Sequence, residues 1–203
     1  SEVKKEFNKL IENSFSFEDL SLWLKDNLSM GSIDVNIMTK VDKTNYFKKE
    51  ELPSEYNDAH AGLRGYANSD LSSSVIFSAG MNPRLYGYIA QFDDFFPDEN
   101  GYIKKKIILK VSDYRSAIIQ GKFLAKKGLW ISEYRIESGL NCGGHAFATD
   151  GYLMGPILAE FRDRRQELVD ELYAVCKPAL AANGKVVPND TLAITITAQG
   201  GVA

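Results

Sequence analysis

Lys106–Glu137, KIILKVSDYRSAIIQGKFLAKKGLWISEYRIE, is the stretch that decides the fold. Lys106–Val111 is a continuous apolar run of strand length, with Lys110 near its C-terminal end. Ser112 or Asp113 then caps a predicted helix whose inward face is Ala117, Ile118, Gly121, Leu124 and Ala125. Gly128 closes that helix, and Leu129–Glu137 reads as a second strand. Strand, capped helix, glycine and strand make a βαβ unit, which sets its two strands parallel through a right-handed crossover.

The pattern continues outward in both directions. Downstream, the second strand runs into a polar, glycine-rich turn, ESGLNCGGHAFATD, ending at Asp150. Gly155-Pro156 then opens a long helix with a stripe of Ile157, Phe161, Leu168, Leu172 and Val175. Leu192–Ala198 is the last strand and leads into Gln199-Gly200-Gly201. Upstream, Ser73–Gly80 is a strand followed by a loop with Asn82, and Leu85–Phe96 is aromatic and helix-like until Pro97. Before it come a strand over Ile33–Val41, a polar loop over Asp42–Asn57, and a short helix over Asp58–Tyr66 carrying His60 and Arg64. Two amphipathic helices begin the chain, one on Val3, Phe7, Leu10 and Ile11, the other capped by Ser16 with Asp19 and burying Leu20, Trp23, Leu24 and Leu28.

Strands alternating with helices predict an α/β fold with a parallel sheet. The expected architecture is a partial or complete TIM-like (β/α) barrel over residues 31–203, behind an N-terminal helical segment over residues 1–30. A full barrel needs eight strands and about 250 residues, against five strand runs in 203 residues here. The chain starts on Ser1 and stops at Ala203 beside a Gly-Gly, so a piece truncated at its C-terminus and a chain with a tag removed both stand as readings.

A net charge of -3 excludes a basic field for nucleic acid. No apolar run reaches the ~18 residues that span a bilayer, and the first residues lack a signal-peptide core. Two distant cysteines make no disulfide framework, so a reducing, cytoplasmic setting is expected. Lys104-Lys105-Lys106, Lys126-Lys127, Asp93-Asp94 and the arginines 162, 164 and 165 read as solvated surface. His60 reads as a surface or half-buried helix histidine, and Cys176 as core.

Parallel sheets keep their chemistry beyond the C-terminal ends of the strands. Those ends collect Thr39 and Lys40; Ser78 and Asn82; Lys110 and Ser112; Glu137 through His145; and Gln199 to Gly201. Lysines there suit an anion or a ring that carries negative charge. Gly143-Gly144 and Gly200-Gly201 let backbone N–H groups approach a phosphate, or are simply tight turns. Cys142 and His145, three residues apart, suit a thiolate nucleophile with an adjacent base, and a partly buried turn cysteine equally well. Too few further ligands remain for a metal, so none is expected.

IILKVSD, then GKFLAKKGLWISEYRIESGLNCGG, and later ITAQGG resemble the FMN-binding barrel of the glutamate synthase family. That family has a strand ending in Val-Lys, a helix, a strand ending in a Ser-Gly-x-x-Gly-Gly turn, and a later Gly-Gly turn that binds phosphate. The matching residues are Lys110; Ser138, Gly139, Gly143 and Gly144; and Gly200 and Gly201. The resemblance covers about the second half of the chain. It implies FMN with Lys110 near its ring, Gly143-Gly144 beside it and Gly200-Gly201 at its phosphate. The turn here is one residue longer than in the family and reads Cys-Gly-Gly-His. A flavin-dependent oxidoreductase is therefore expected, with a small-molecule substrate meeting the ring near Cys142, His145 and Asn82. The alternatives are a cofactor-free enzyme using Cys142 and His145, and a non-catalytic domain that pairs with a second copy or with the rest of a longer chain.

Overall fold

The computed structural model describes residues 2–12, 16–27, 33–37, 42–137 and 154–199. The chain divides into two units, residues 1–33 and 34–203. In the first, helices α1 (Glu2–Glu12) and α2 (Phe17–Asn27) meet through the Phe7 and Trp23 rings, 5.7 Å apart. Half of the expected capping box forms: Ser16 Oγ accepts the Asp19 N–H, and it donates to the Asp19 carboxylate in place of the Ser16 backbone N–H. Leu20, Trp23 and Leu24 are only half-buried, because two short helices cannot seal a core by themselves.

The second unit is built on strands β1 (Val35–Ile37), β4 (Ser74–Phe77), β5 (Lys106–Val111), β6 (Ile131–Glu137) and β7 (Thr195–Gln199). They form one five-stranded, all-parallel sheet in the order in which they occur along the chain. Each crossover carries helix: α3 (Asp58–Ala67), α4 (Pro83–Ile89), α5 (Tyr114–Ala125), then α6 (Met154–Asp163) with α7 (Arg165–Ala182). Strand order never reverses, unlike a doubly wound sheet, so right-handed crossovers send every helix to the same side.

That side is the core. Ile37, Val75, Phe77, Ile107, Leu109, Val111, Tyr134 and Ile136 alternate toward it and pack against Leu63, Leu85, Leu124, Leu168 and Leu172 of the helices. The intervening residues face the other way, and most are polar: Asn36, Ser74, Lys110, Glu133, Arg135, Glu137 and Thr197. Across this open face an Arg135 amino group reaches to 3.9 Å from Asp34. Arg135 and Asp34 are three strands and four register positions apart, about 20 Å between Cα atoms if the sheet were flat. Their two side chains span only about 11 Å. The sheet therefore curls strongly toward its polar side.

Several expectations are corrected. The sheet has five strands with β1 and β7 as its edges, so a complete eight-stranded barrel is not what the described residues form. Residues 42–57, expected as loop, contain a hairpin of β2 (Tyr46–Phe47) and β3 (Glu50–Glu51), turning through Lys48 and Lys49 at φ of 49° and 72°. The aromatic helix stops at Ile89 and resumes only as a 3-10 turn at Asp93–Phe95. The long helix breaks at Arg164, whose guanidinium lies 3.9 Å from the centre of the Tyr114 ring and pairs with Glu160 and Glu167. Arg165 is no free surface charge either: it donates twice to the Ile194 carbonyl, pinning the chain just before β7.

Lys105 is the sharpest correction. Instead of lying in solvent it is fully buried, and its ammonium donates to the carbonyls of Tyr66, Ser69 and Leu71 at 2.7–3.0 Å. It closes the C-terminal end of α3, where helix carbonyls are left without intrahelical partners.

Candidate functional site

The C-terminal ends of the strands hold the polar groups that the fold cannot use in its core. Ser78 follows β4, Ser112 follows β5, and Lys110 and Glu137 end adjacent strands on the open face. Lys110 Nζ lies 2.8 Å from Glu137 Oε1, and both residues are about 95% buried, with 4% and 5% exposure. Lys110 is in register with Arg135 and Val111 with Ile136, so Glu137 reaches Lys110 diagonally from the next strand. Burying two charges is costly and is tolerated only when they satisfy each other closely. This pair is thus a fixed charge arrangement at the strand ends, one step before the glycine-rich turn.

Asn82 caps α4: its Oδ1 accepts the Leu85 N–H at 3.1 Å, with Pro83 in the first helical position. Its carbonyl oxygen is committed to the helix. Asp113, rather than Ser112, caps α5, accepting from Ser116 N at 2.7 Å and from the Ser112 hydroxyl at 2.9 Å. Ser138, Cys142, Gly143, Gly144, His145, Gly200 and Gly201 lie outside the described residues, as do Gly139, Thr39 and Lys40. Of the expected site residues the structure thus places Lys110 and Asn82, on β5 and at the start of α4.

One arrangement was not legible in the sequence. His60 is 2% exposed, not surface, and its Nδ1 lies 2.5 Å from Asp42 Oδ2. The same carboxylate accepts the Ala59 N–H at 3.1 Å and the Asn57 amide at 3.3 Å. Asp42 therefore stands in as the N-terminal cap of α3 and fixes His60 as the Nδ1–H tautomer. The two residues are 18 apart across a hairpin, and no spacing rule pairs them. Cys176 follows expectation: it is fully buried in α7, and burial pushes its thiol up to about 12. No cluster of three or more metal-ligating side chains occurs among the described residues. No helix among them is long and apolar enough to cross a membrane.

The chain was compared with protein-family models, curated proteins and solved structures. None of the three found a match.

Proposed function

We propose that this chain is a flavin-dependent oxidoreductase, or a major part of one, built on a (β/α) barrel of the glutamate synthase kind. The observation that carries the reading is the buried Lys110–Glu137 pair at the C-terminal ends of β5 and β6, on the polar face of a curled, sequentially ordered parallel sheet. Sequential order and one-sided helices are what a segment of a (β/α) barrel requires. A charged inner face is unlike the branched apolar layers that fill an ordinary barrel.

The donor set fits the polar edge of a flavin. Lys110 would offer a buried cation near the ring, with Glu137 holding its ammonium. Ser78 and Ser112, at the ends of the neighbouring strands, are buried at 4% and 6% exposure. Gly143-Gly144 and Gly200-Gly201 would take the ring flank and the phosphate, as the resemblance implies. FMN, when bound, supplies the hydride chemistry, and the protein supplies position and charge. The setting consistent with the reading is cytoplasmic, with a small-molecule substrate.

The test is a visible spectrum of the purified protein and an FMN fluorescence titration. Saturable quenching, weakened by Lys110→Ala with the far-UV spectrum unchanged, supports the proposal. Absence of binding both here and in a form extended past Ala203 would sink it.

A second reading has one specific support. β1 and β7 are unpaired edges among the described residues, and open parallel edges invite pairing with another chain. An assembly domain would show a concentration-dependent mass in light scattering; a monomer at every concentration counts against it.

A further inference from the structure

β7 ends the sheet as an open edge and lacks what usually guards one. Natural edge strands carry a lysine, a proline or a bulge, or are very short. β1, the other edge, has only three residues. β7 has five, Thr195-Ile196-Thr197-Ala198-Gln199, with no charge, no proline and an unbroken register against β6. Among the described residues nothing pairs with its outer side. Thr195, Ala198 and Gln199 are exposed, and Ile196 and Thr197 are half-buried.

The strand is patterned alike in both directions. Ile196 and Ala198 stand opposite Tyr134 and Ile136 and face the helices, while Thr195, Thr197 and Gln199 face the polar side. An antiparallel copy centred on Thr197 sets Thr195 opposite Gln199, Ile196 opposite Ala198 and Thr197 opposite itself. Apolar residues then meet apolar ones, polar residues meet polar ones, and the whole strand is used. A slip of one residue turns apolar against polar. Moving the centre to Ile196 calls on Ile194, whose carbonyl Arg165 already holds.

The helix side of the edge has room for the second strand. A groove of about 440 Å³ lies there, lined by Leu158, Arg162, Arg165, Thr195 and Ile196. Leu158 and Ile196 pack on the core yet stay half-buried, because nothing closes the groove from outside. In the register centred on Thr197, the two Thr195 residues lie four positions apart, about 13 Å. That exceeds the screening length of about 8 Å, so the arginines of the two copies gather at opposite ends rather than facing each other.

We propose that β7 pairs antiparallel with β7 of a second copy of this chain, about a two-fold axis at the Thr197 pair, joining two five-stranded sheets into one. A two-fold interface must be self-complementary, and this strand is. Ala198 of the second copy covers the open side of Ile196. The proposal rests on the assembly reading given above and specifies its edge, its partner and its register.

The test combines mass with cross-linking on the full chain. Light scattering across a dilution series should reach twice the 22.6 kDa of one chain. Ala198→Lys, a change at an exposed position that sets a charge against Ile196 of the second copy, should weaken the dimer at least about tenfold with an unchanged far-UV spectrum. For cross-linking, Cys142→Ser leaves only the buried Cys176, and Thr197→Cys or Gln199→Cys is then added. Position 197 faces itself with Cα atoms about 5 Å apart, within reach of a disulfide, whereas position 199 lies about 13 Å from its counterpart. Mild oxidation should therefore link Thr197→Cys into a covalent dimer and leave Gln199→Cys monomeric on a denaturing gel. A dimer that persists in Ala198→Lys, or that links equally at both positions, overturns the β7 pairing and leaves the assembly reading standing. A monomer at every concentration overturns both.

Discussion

Lys105 shows how much a single side chain can carry when it donates to several carbonyls at once. Burial pulls its ammonium down from the ordinary lysine range, and nearby Asp94 pulls it back up. Lys105→Met removes the charge and takes the ammonium donor from the Ser69 and Leu71 carbonyls, and is expected to cost about 3 kcal/mol in urea unfolding. Lys104→Ala, next door and paired with Asp94 at the surface, should cost clearly less. Equal costs would contradict the burial assigned to Lys105. Gly121 is the complementary case. A Cβ there would run into the Tyr134 hydroxyl and a Leu172 methyl at 2.8 Å, so α5 can sit close to β6 and α7 only without one. Gly121→Ala should therefore destabilise by about 2 kcal/mol, although alanine is the better helix former. Gly121 was legible as part of the inward face of its helix, but Lys105 did not announce itself. KKK reads identically whether its middle lysine is wet or dry, because the decision is made by the carbonyls of Tyr66, Ser69 and Leu71, more than thirty positions away. Asp42 and His60 were hidden for the same reason.

At the level of elements, the Lys110–Glu137 contact ties β5 to β6 just where both strands leave the sheet. Either single change, Lys110→Met or Glu137→Leu, is expected to cost about 3 kcal/mol, because each takes the opposite charge away from a buried ion. The double change should cost clearly less than the two together. A double-mutant cycle in urea measures the difference, and strict additivity would mean the charges do not depend on each other. The elements themselves were largely legible: β5, α5 and β6 fall within about two residues of their expected bounds, since an apolar run, a cap and a glycine are local signals. The breaks were not. α7 restarts after Arg164 because that residue turns to stack on Tyr114, a partner fifty positions away, and the hairpin at 46–51 has no alternating pattern to reveal it. Most expected site residues of the glycine-rich turn lie outside the described residues, so for that element only its flanking strand was placed.

For the whole molecule, the core holds acids that must stay neutral. Burial raises the Cys176 thiol and the Tyr86 and Tyr134 phenols above their ordinary values of 9.0 and 10.0. The folded chain then grips these protons more tightly than the unfolded chain does. Their contribution is whole below the unfolded values and is lost as pH climbs through the folded ones. The melting temperature is expected to fall progressively above about pH 9, and Cys176→Ala, whatever its baseline cost, to give a shallower fall. In the same way, Cys176 should resist iodoacetamide at neutral pH until denaturant is added. Labelling of Cys176 in the native protein would contradict its place in the core.

The order of the strands bears on how such a molecule is made. Each new strand joins the edge laid down immediately before it, so the sheet can grow in the sequence in which a ribosome releases it. No strand has to be inserted between two that already pair, and each closure spans only one helical crossover. A nascent chain arrested before β7 already holds β1, β4, β5 and β6 in their final order, and would present β6 as a raw edge that the next stretch of polypeptide covers.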